Sequence, residues 1–394
     1  MAEKALLSFE EAEKILQAFP VAVKRGSTPL LAAQDLFLAE DIHSPFAMPE
    51  FDKSAMDGFA CIAADPAGSF KIIETIAAGT PPRLAVTPGS CARIMTGAML
   101  PAGADRVVKR ECTHEENGVM TICAEDRNRN IRKKGEDLQA GQLVLAAGER
   151  LRPAQIALLA SLGMAEAPTA IPPRVGILTT GSELVEPGQP LAPGQIYNSN
   201  SYSLAAQIRE SGARGLVLGR VRDHAAATVE AITASLEKCE LLILSGGVSA
   251  GDFDFVPAAM KTAGLALHFE KVSVQPGMPT VFASREGKVA FGLPGNPVST
   301  FVIFEVFIKP LLLRMMGHAY HPLIQPAVLS SDFSRGHGGR TAFVPVACRE
   351  GRADLLAYHG SAHLHSLSRA NALLRVAAGL KTIAAGSTVD VRFL

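Results

Sequence analysis

The chain has 394 residues, enough for two to four domains, and 48% of them are hydrophobic, so it can bury a sizeable core. Its 38 basic and 38 acidic residues balance, which argues against a nucleic-acid-binding stripe or electrostatic recruitment to a membrane. The six cysteines are scattered without a C-x-x-C pair, as in a reducing compartment, and no apolar run is long enough to span a bilayer. The N-terminus carries no signal-peptide pattern, and we expect a cytoplasmic protein.

The first half of the chain predicts a connector and a small β-rich domain. Ser8 and Glu11 form a capping box at the start of an amphipathic helix. Residues 46–137 alternate short β-like runs with glycine and proline turns, which is typical of a β-rich domain. Residues 138–172 return to a turn, strand and helix pattern, and we expect them to join residues 1–45 in a discontinuous, extended connector domain.

The second half changes character. Residues 173–318 alternate strand, turn and helix, which predicts a central parallel or mixed sheet covered by helices on both faces. The tail, residues 319–394, has short alternating runs separated by glycines and predicts a small β-barrel or sandwich. The predicted fold class is therefore multidomain, α/β plus β. The expected strands of the α/β domain are Val175–Thr179, Gly215–Val221, Leu241–Leu244, Val272–Val274 and Val289–Leu293.

The stretch from Leu241 to Asp254 is the most informative. A short apolar run stops at Ser245-Gly246-Gly247 and is followed by Ser249, Gly251 and two aspartates. Glycines at the carboxyl end of a parallel strand let a ligand approach the backbone, and open α/β sheets bind ligands there. Carboxylates beside an anion suggest a divalent cation between them. A phosphate-bearing ligand with a metal ion is one interpretation; a glycine turn with an aspartate capping the next helix is the other.

Several common chemistries have no support in the sequence. It contains no phosphate-binding G-x-x-x-x-G-K-[ST] loop, no G-x-G-x-x-G fingerprint and no H-E-x-x-H motif. What remains is a set of turns rich in acidic residues, glycine and proline. They are FDKSAMDGFA at 51–60, RIMTGA at 93–98, NIRKKGED at 130–137, TTGSEL at 179–184, IYNSN at 196–200, SGGVSAG at 245–251 and GLPGNPVS at 292–299.

In this order and spacing, these segments resemble one family, the molybdopterin molybdenumtransferases, which include the bacterial MoeA proteins and the E domain of gephyrin. The resemblance spans essentially the whole chain. It implies four domains, a C-terminal β-barrel among them, and an α/β domain similar to the upstream adenylyltransferase MogA. It also implies a homodimer with a shared active site. The implied reaction is Mg²⁺-dependent insertion of molybdate into adenylylated molybdopterin with release of AMP, the last step of molybdenum cofactor biosynthesis. The upstream adenylyltransferase and apo-molybdoenzymes are implied as further partners, with no nucleic acid or membrane.

The resemblance also implies roles for individual residues. The implied metal ligands are Asp223, Asp254 and Glu183. The implied pterin and phosphate pocket is lined by Ser245, Gly246, Gly247, Ser249, Gln275, Pro294, Gly295, Asn296 and Pro297. The implied catalytic residues are Asp57, Thr96, Arg132, Asp137, Glu183 and Lys271. In the family, the β-rich domain with the first four of these faces the α/β cleft of the other subunit.

Each role has a plainer alternative. Asp223 is equally suited to cap the helix that follows it, and Lys271 to be a solvated lysine. The segment 294–297 can be a rigid turn. The predicted site residues of the β-rich domain can instead cap turns and form surface ion pairs. For Asp137, this alternative is favoured when the resemblance is set aside.

The chain departs from the family pattern at three positions. Ser182 stands where the family often has aspartate, and Gln275 and Met278 stand where it commonly has lysines. Losing one charge-assisted hydrogen bond costs about 1.5–3 kcal/mol, roughly ten- to a hundred-fold in affinity. These departures leave three interpretations: a weaker oxyanion site, compensation by Lys271, or an altered substrate preference. They also keep open a non-catalytic or tungstate-selective paralogue that acts as a cofactor carrier or scaffold.

Overall fold

The computed structural model describes residues 6–221, 224–248, 255–357, 360 and 363–394, and the chain forms two compact units. The first unit comprises Met1–Glu40, Ala147–Ile156 and Glu166–Leu394. The second comprises Asp41–Ala146 and Ala157–Ala165. The domain boundaries predicted from the sequence remain predictions, because one compact unit can contain several domains.

The opening segment contains strand β1 (Leu7–Ser8), helix α1 (Phe9–Ala18) and strand β2 (Arg25–Pro29), followed by a 3-10 turn at Leu30–Ala32. The predicted capping box at the start of α1 is confirmed. The Ser8 hydroxyl accepts a hydrogen bond from the Glu11 N–H at 3.1 Å, and the Glu11 carboxylate accepts one from the Ser8 N–H at 2.8 Å.

The second unit contains a six-stranded sheet in the order β8-β5-β7-β6-β10-β9, in which only β6 and β7 run parallel. The pairs β3–β12 and β4–β11 form separate antiparallel ribbons. A 3-10 turn spans Arg110–Cys112, and helix α2 (Pro153–Ser161) begins in the first unit and ends in the second. The strands are β3 (Ile42–His43), β4 (Lys53–Ser54), β5 (Gly58–Cys61), β6 (Ser69–Ile76), β7 (Ser90–Ile94), β8 (Arg106–Lys109), β9 (Thr113–Glu116), β10 (Val119–Ile122), β11 (Ile131–Arg132) and β12 (Leu143–Leu145).

In the first unit, strand β13 (Glu166–Ala170) pairs with β2 and leads into the α/β region. Its strands are β14 (Arg174–Thr180), β15 (Leu184–Val185), β16 (Ile196–Tyr197), β17 (Arg214–Val221), β18 (Leu241–Ser245), β19 (Ala266–Phe269), β20 (Val272–Gln275), β21 (Val281–Arg285) and β22 (Lys288–Leu293). Its helices are α3 (Ser199–Glu210), α4 (Ala225–Leu236), α5 (Val256–Thr262), α6 (Pro297–Ile303) and α7 (Lys309–Met315), with a π-helical turn at Phe304–Ile308 between the last two.

The central sheet is mixed, as the sequence predicted. Its order is β17-β14-β18-β22-β21-β19, with the first four strands parallel and the last two antiparallel to their neighbours. Every residue of β18 is buried, which explains its unbroken apolar run. Helices α3 and α6 pack into the hydrophobic core on one face, and α4 and α5 pack into the core on the other.

The expected strand Val272–Val274 exists as β20, but its predicted place in the central sheet was wrong. β20 pairs in parallel with β1 at Leu7↔Val272 and with a strand of the C-terminal region at Gln275↔Ala342. Apolar alternation identifies a strand without identifying its neighbours, because those are chosen by long-range pairing.

The C-terminal region forms a closed barrel. Five strands pair in the order β25-β26-β23-β29-β27, and β27 pairs back with β25. Of the two predicted architectures, the structure therefore shows the barrel. The elements are β23 (Ile324–Leu329), β24 (Phe333–Ser334), β25 (Thr341–Arg349), β26 (Arg352–Leu355), α8 (Leu364–Leu367), β27 (Ala372–Val376), β28 (Thr382–Ile383) and β29 (Thr388–Phe393).

One aromatic cluster ties the parts of the first unit together. The ring of Phe9 in α1 stacks on Phe307 at 5.2 Å and meets Phe343 of the barrel edge-on at 5.0 Å. Among the described residues, no helix combines the length and the apolar character that crossing a membrane requires.

Candidate active site

Three parallel strands of the central sheet end at one edge. The register pairs Thr179 of β14 with Ser245 of β18, and Ser245 with Leu293 of β22. The Gly246 N–H donates to the Leu293 carbonyl at 2.9 Å, which holds the turn after β18 against the turn after β22. The predicted pocket residues that follow these strands therefore lie together, where open α/β sheets bind ligands.

The turn after β18 requires glycine. Gly246 has φ +100° and Gly247 φ +67°, and a Cβ added at Gly246 would lie 2.6 Å from both the carbonyl oxygen and the hydroxyl oxygen of Thr180. The Thr180 hydroxyl is buried and has no hydrogen-bond partner among the described residues. An unsatisfied buried hydroxyl at a strand end is a donor and acceptor that a ligand can use.

Asn200 organises this edge, and sequence reasoning gave it no role. Its side-chain amide donates to the Ser245 hydroxyl at 2.7 Å and to the Gly295 carbonyl at 2.7 Å. It thereby joins the turns that follow β18 and β22. Its position in the segment 196–200, with Asn198 capping α3, was the available signal.

A cavity of about 570 Å³ opens at this edge, and we call it the Gln275 cavity. Five of the predicted pocket residues line this cavity. Met278, Ser299 and Arg340 also line it, and none of these three was among the predicted pocket residues. Arg340 is exposed, and its guanidinium makes no hydrogen bond or ion pair with any described residue. The five predicted residues are Gly247, Gln275, Pro294, Gly295 and Asn296.

A second cavity of about 470 Å³, which we call the Glu183 cavity, adjoins the first. Both cavities are lined by Gly295 and Asn296, so this turn forms a shared wall. Among the described lining residues, Arg340 is the only charged one in the Gln275 cavity and Glu183 the only one in the Glu183 cavity. The other predicted residues here are Ser245 and Pro297, with Thr180 and Asn200 alongside them.

The pairing of β20 with β25 explains how Arg340 reaches the site. Val274 pairs with Thr341, and Gln275 pairs with Ala342, so the residues just before β25 lie beside the end of β20. Lys271 precedes β20 at its opposite end and lines neither cavity. Lys271 is thus the cation nearest in sequence to Gln275 and Met278, but Arg340 is the cation that lines the cavity.

The predicted metal site is only partly visible. Ser249, Asp223 and Asp254 lie outside the described residues, and Glu183 is the one predicted metal ligand that the structure describes. No group of three or more His, Cys, Asp or Glu side chains suited to a metal occurs in the described ranges. The described donors in the Glu183 cavity that could meet a cation are oxygens, notably the Glu183 carboxylate and the Thr180 hydroxyl, which suits Mg²⁺ better than a soft metal.

In the second unit, Asp57 and Thr96 form one cluster. The Thr96 N–H and the Thr96 hydroxyl both donate to Asp57 Oδ1 at 2.7 Å. These two hydrogen bonds, the backbone one foremost, hold the pKa of Asp57 below its usual value, so its carboxylate is charged. Gly58 must be glycine, because an added Cβ would lie 2.0 Å from the Val108 carbonyl oxygen on the neighbouring strand.

Arg132 and Asp137 are placed differently in that unit. Arg132 forms an exposed ion pair with Glu136 at 3.3 Å, which agrees with the plainer alternative for this residue. Asp137 is exposed, and its carboxylate has no hydrogen-bond or ion-pair partner in the described ranges, so it neither caps a turn nor forms an ion pair there. The unpaired Asp137 carboxylate leaves acceptors free for a ligand.

Comparison with known proteins covers nearly the whole chain. Residues 7–163 match the MoeA N-terminal region (domains I and II), 176–314 a probable molybdopterin binding domain, and 326–394 the MoeA C-terminal region (domain IV). A molybdopterin molybdenumtransferase from Bacillus subtilis is 38% identical over 93% of this chain and 90% of its own length. Molybdopterin molybdenumtransferase 2 from Mycobacterium tuberculosis is 37% identical over 98% of both chains.

A solved structure agrees with these sequence matches. The molybdopterin biosynthesis MoeA protein of Pyrococcus horikoshii OT3 superposes with a TM-score of 0.84 at 28% identity, covering 99% of this chain and 100% of its own. The fold of this chain is thus similar to the fold of that protein over nearly its full length. The chain is therefore a member of the molybdopterin molybdenumtransferase (MoeA) family.

Proposed function

We propose that the protein inserts molybdate into adenylylated molybdopterin and releases AMP, the last step of molybdenum cofactor biosynthesis. Family membership supports a transferase with a role in that pathway. The observation that carries the specific reaction is the pair of adjoining cavities, of about 570 and 470 Å³, with a shared wall at Gly295 and Asn296. Each has the volume of a small-molecule site, and the proposed substrate has two bulky halves joined by an anhydride.

The residues of the strand-end edge have separable tasks in this proposal. Gly246 shapes the turn, and Gly247, which lines the Gln275 cavity, lets phosphate oxygens approach the backbone closely. Asn200 fixes the shared wall, along which the anhydride would lie. Cleavage breaks one P–O bond: water adds its oxygen to one phosphorus, the bridging oxygen leaves with the other, and the two phosphates share the protons of that water.

Arg340 is the proposed contact for molybdate. It is the only cation among the described lining residues of either cavity, and its guanidinium is unpaired within the described ranges. A planar guanidinium offers several donors to a tetrahedral oxyanion. We therefore assign to Arg340 the oxyanion contact that the resemblance alone would have given to lysines at positions 275 and 278.

Magnesium is part of the proposal. Glu183, Asp223 and Asp254 would hold the ion, which neutralises charge on the anhydride oxygens when bound. Asp57, Thr96, Arg132 and Asp137 would complete the site from the second subunit of a homodimer. We further propose a cytoplasmic location, with the upstream adenylyltransferase and apo-molybdoenzymes as partners.

One observation favours a second candidate function. Gln275 and Met278 line the Gln275 cavity without contributing charge. A cavity with one described cation should bind an oxyanion more weakly than a cavity that also has lysines at positions 275 and 278. Weaker oxyanion binding is what we expect of a carrier, a scaffold or a tungstate-selective paralogue.

The test is AMP release from adenylylated molybdopterin with Mg²⁺, in the presence and absence of molybdate or tungstate, for the unmodified protein and Gln275→Lys. Molybdate-dependent release by the unmodified protein is the expected result, and it should disappear when Mg²⁺ is chelated. Release only with tungstate would favour the selective paralogue. No release from the unmodified protein, with rescue by Gln275→Lys, would refute molybdate insertion as its native activity.

A further inference from the structure

Arg335 is a half-buried arginine, and the hydrogen bonds of its side chain to described residues all go to backbone carbonyls. Its Nε donates to Leu380 at 2.7 Å, its Nη1 to Arg340 at 2.7 Å and its Nη2 to Ala377 at 2.8 Å, with a longer contact to Gly338 at 3.4 Å. It forms no ion pair with any residue in the described ranges. Burial lowers the pKa of its guanidinium, as expected for a cation without a carboxylate partner.

These hydrogen bonds join two loops of the barrel. One is the segment 335–340 that leads into β25, and the other is the segment 377–381 that leads into β28. The backbone repeats the connection, since the Arg335 N–H donates to Lys381 at 2.9 Å and the Gly379 N–H donates to Gly338 at 2.7 Å. The two loops therefore form one unit, with the Arg335 side chain as its cross-link.

The far side of the first loop is held by the central part of the same unit. The Ser273 hydroxyl donates to the Gly339 carbonyl at 3.3 Å, and β20 pairs with β25 immediately after Arg340. The loop is thus fixed on both sides. Its last residue, Arg340, lines the Gln275 cavity; its backbone carbonyl accepts a hydrogen bond from Arg335, while its guanidinium is unpaired among the described residues.

Resting on the proposed function, we propose that Arg335 is a positioning residue that fixes the 335–340 loop so that Arg340 presents its guanidinium to a tetrahedral oxyanion in the Gln275 cavity. Arg335 does not touch the oxyanion in this arrangement, because its donors are engaged by carbonyls. Its contribution is to pre-organise the loop before the ligand arrives, which improves affinity without adding a contact.

The chain offers a matched control in Arg314. This arginine is also half-buried, and its recorded hydrogen bonds also go only to carbonyls, those of Leu16 at 2.6 Å and Phe19 at 2.8 Å. It lines neither the Gln275 nor the Glu183 cavity. Arg314→Ala should therefore remove a comparable structural cross-link and leave oxyanion binding unchanged.

The experiment measures molybdate binding by titration calorimetry for the full chain and for Arg335→Ala, Arg340→Ala, the double variant and Arg314→Ala. We expect Arg335→Ala to weaken molybdate binding by about tenfold. Without Arg335, the Arg340 guanidinium is no longer held in place, and the effect should match the loss of its one charged contact with the oxyanion. In the Arg340→Ala background, Arg335→Ala should add less than about twofold, because its effect passes through Arg340. Amide hydrogen exchange of segment 336–340 should rise in Arg335→Ala without any ligand present. Arg335→Lys, which keeps the charge and the stem, should lose affinity as well, since an ammonium cannot bridge both loops.

Each outcome decides the proposal. Additive losses in the double variant, equal losses in Arg314→Ala, or unchanged exchange in segment 336–340 would overturn it, as would no molybdate binding by the unmodified protein. If Arg335→Ala does not fold, the loss expected in Arg335→Lys carries the decision. Molybdate binding with the expected coupling, but without AMP release, would support the positioning role and count against the proposed reaction alone.

Discussion

Glu240 forms a charged cluster with Arg174 and Lys24 at the edge of the central sheet opposite the Gln275 and Glu183 cavities. Its carboxylate accepts from the Arg174 N–H at 2.8 Å, from the Arg174 guanidinium at 2.9 Å and from Lys24 Nζ at 2.9 Å. Burial by itself raises the pKa of Glu240, but the hydrogen bonds from Arg174 and Lys24 outweigh it and lower the pKa from 4.5 to about 2. Replacing Glu240 with glutamine removes this charge while nearly keeping the shape of the side chain.

The size of the effect follows from the pKa difference. Each pKa unit corresponds to about 1.4 kcal/mol, so a folded-state pKa of about 2 against an ordinary 4.5 gives about 3 kcal/mol of stability at neutral pH. Because the folded-state pKa is depressed, this stability is present above pH 4.5 and is lost as the pH falls toward 2. Glu240→Gln should therefore lower the free energy of unfolding by about 3 kcal/mol at pH 7.

Urea unfolding of both proteins, followed by circular dichroism between pH 7 and pH 3, measures this difference. The gap between the unmodified protein and Glu240→Gln should narrow as the pH drops below 4.5. Glu237→Gln is the control, because Glu237 pairs with Arg285 at 2.8 Å but is 71% exposed, and an exposed pair contributes less than about 1 kcal/mol. A gap that does not change with pH would refute the electrostatic explanation and leave only packing.

Two further predictions concern the functional residues. Gly246→Ala should destabilise the protein by more than about 2 kcal/mol in urea unfolding and abolish nucleotide binding, because its Cβ meets Thr180 at 2.6 Å. Gly264→Ala, also at positive φ but with no atom within 4 Å of the added Cβ, should show only the smaller backbone cost; equal losses would contradict the steric argument. Thr96→Val should raise the pKa of Asp57 part of the way toward its usual value, since it removes the hydroxyl bond and keeps the stronger N–H bond. A carbon-13 NMR titration of the aspartate carboxyl tests this, and an unchanged pKa would show that the hydroxyl contributes nothing.

Local patterns were enough to predict many elements of this chain, although the central strands β19 and β21 were not among those predicted. The capping box at Ser8, the buried run of β18 and the strand–turn–helix alternation each depend on residues close in sequence, so period and composition identify them. The same patterns also indicated which turns gather at the carboxyl edge of the sheet. Local patterns do not identify the neighbours of a strand. β20 pairs with β25 and not with a strand of the central sheet, and no pattern within Val272–Gln275 distinguishes these two pairings.

That one pairing also explains what sequence reasoning missed in the site. The loss of lysines at positions 275 and 278 suggested a weakened oxyanion site or compensation by Lys271, four residues before Gln275. In the folded chain, the cation that lines the cavity is Arg340, which lies 65 residues after Gln275 and comes beside it through the pairing of β20 with β25. Spacing along the sequence cannot identify such a contact.

The charges that line the two cavities also explain why Mg²⁺ is central to the proposed function. The described lining of the two cavities contributes one cation, Arg340, and one carboxylate, Glu183, so it provides no net attraction for an anion. The predicted ligands Asp223 and Asp254 add two further negative charges. An anhydride dianion facing three carboxylates is repelled unless a divalent cation lies between them. Because this chain has neither of the lysines that the resemblance implies at positions 275 and 278, its affinity for the nucleotide should depend on Mg²⁺ more steeply than the affinity of a relative that has both lysines.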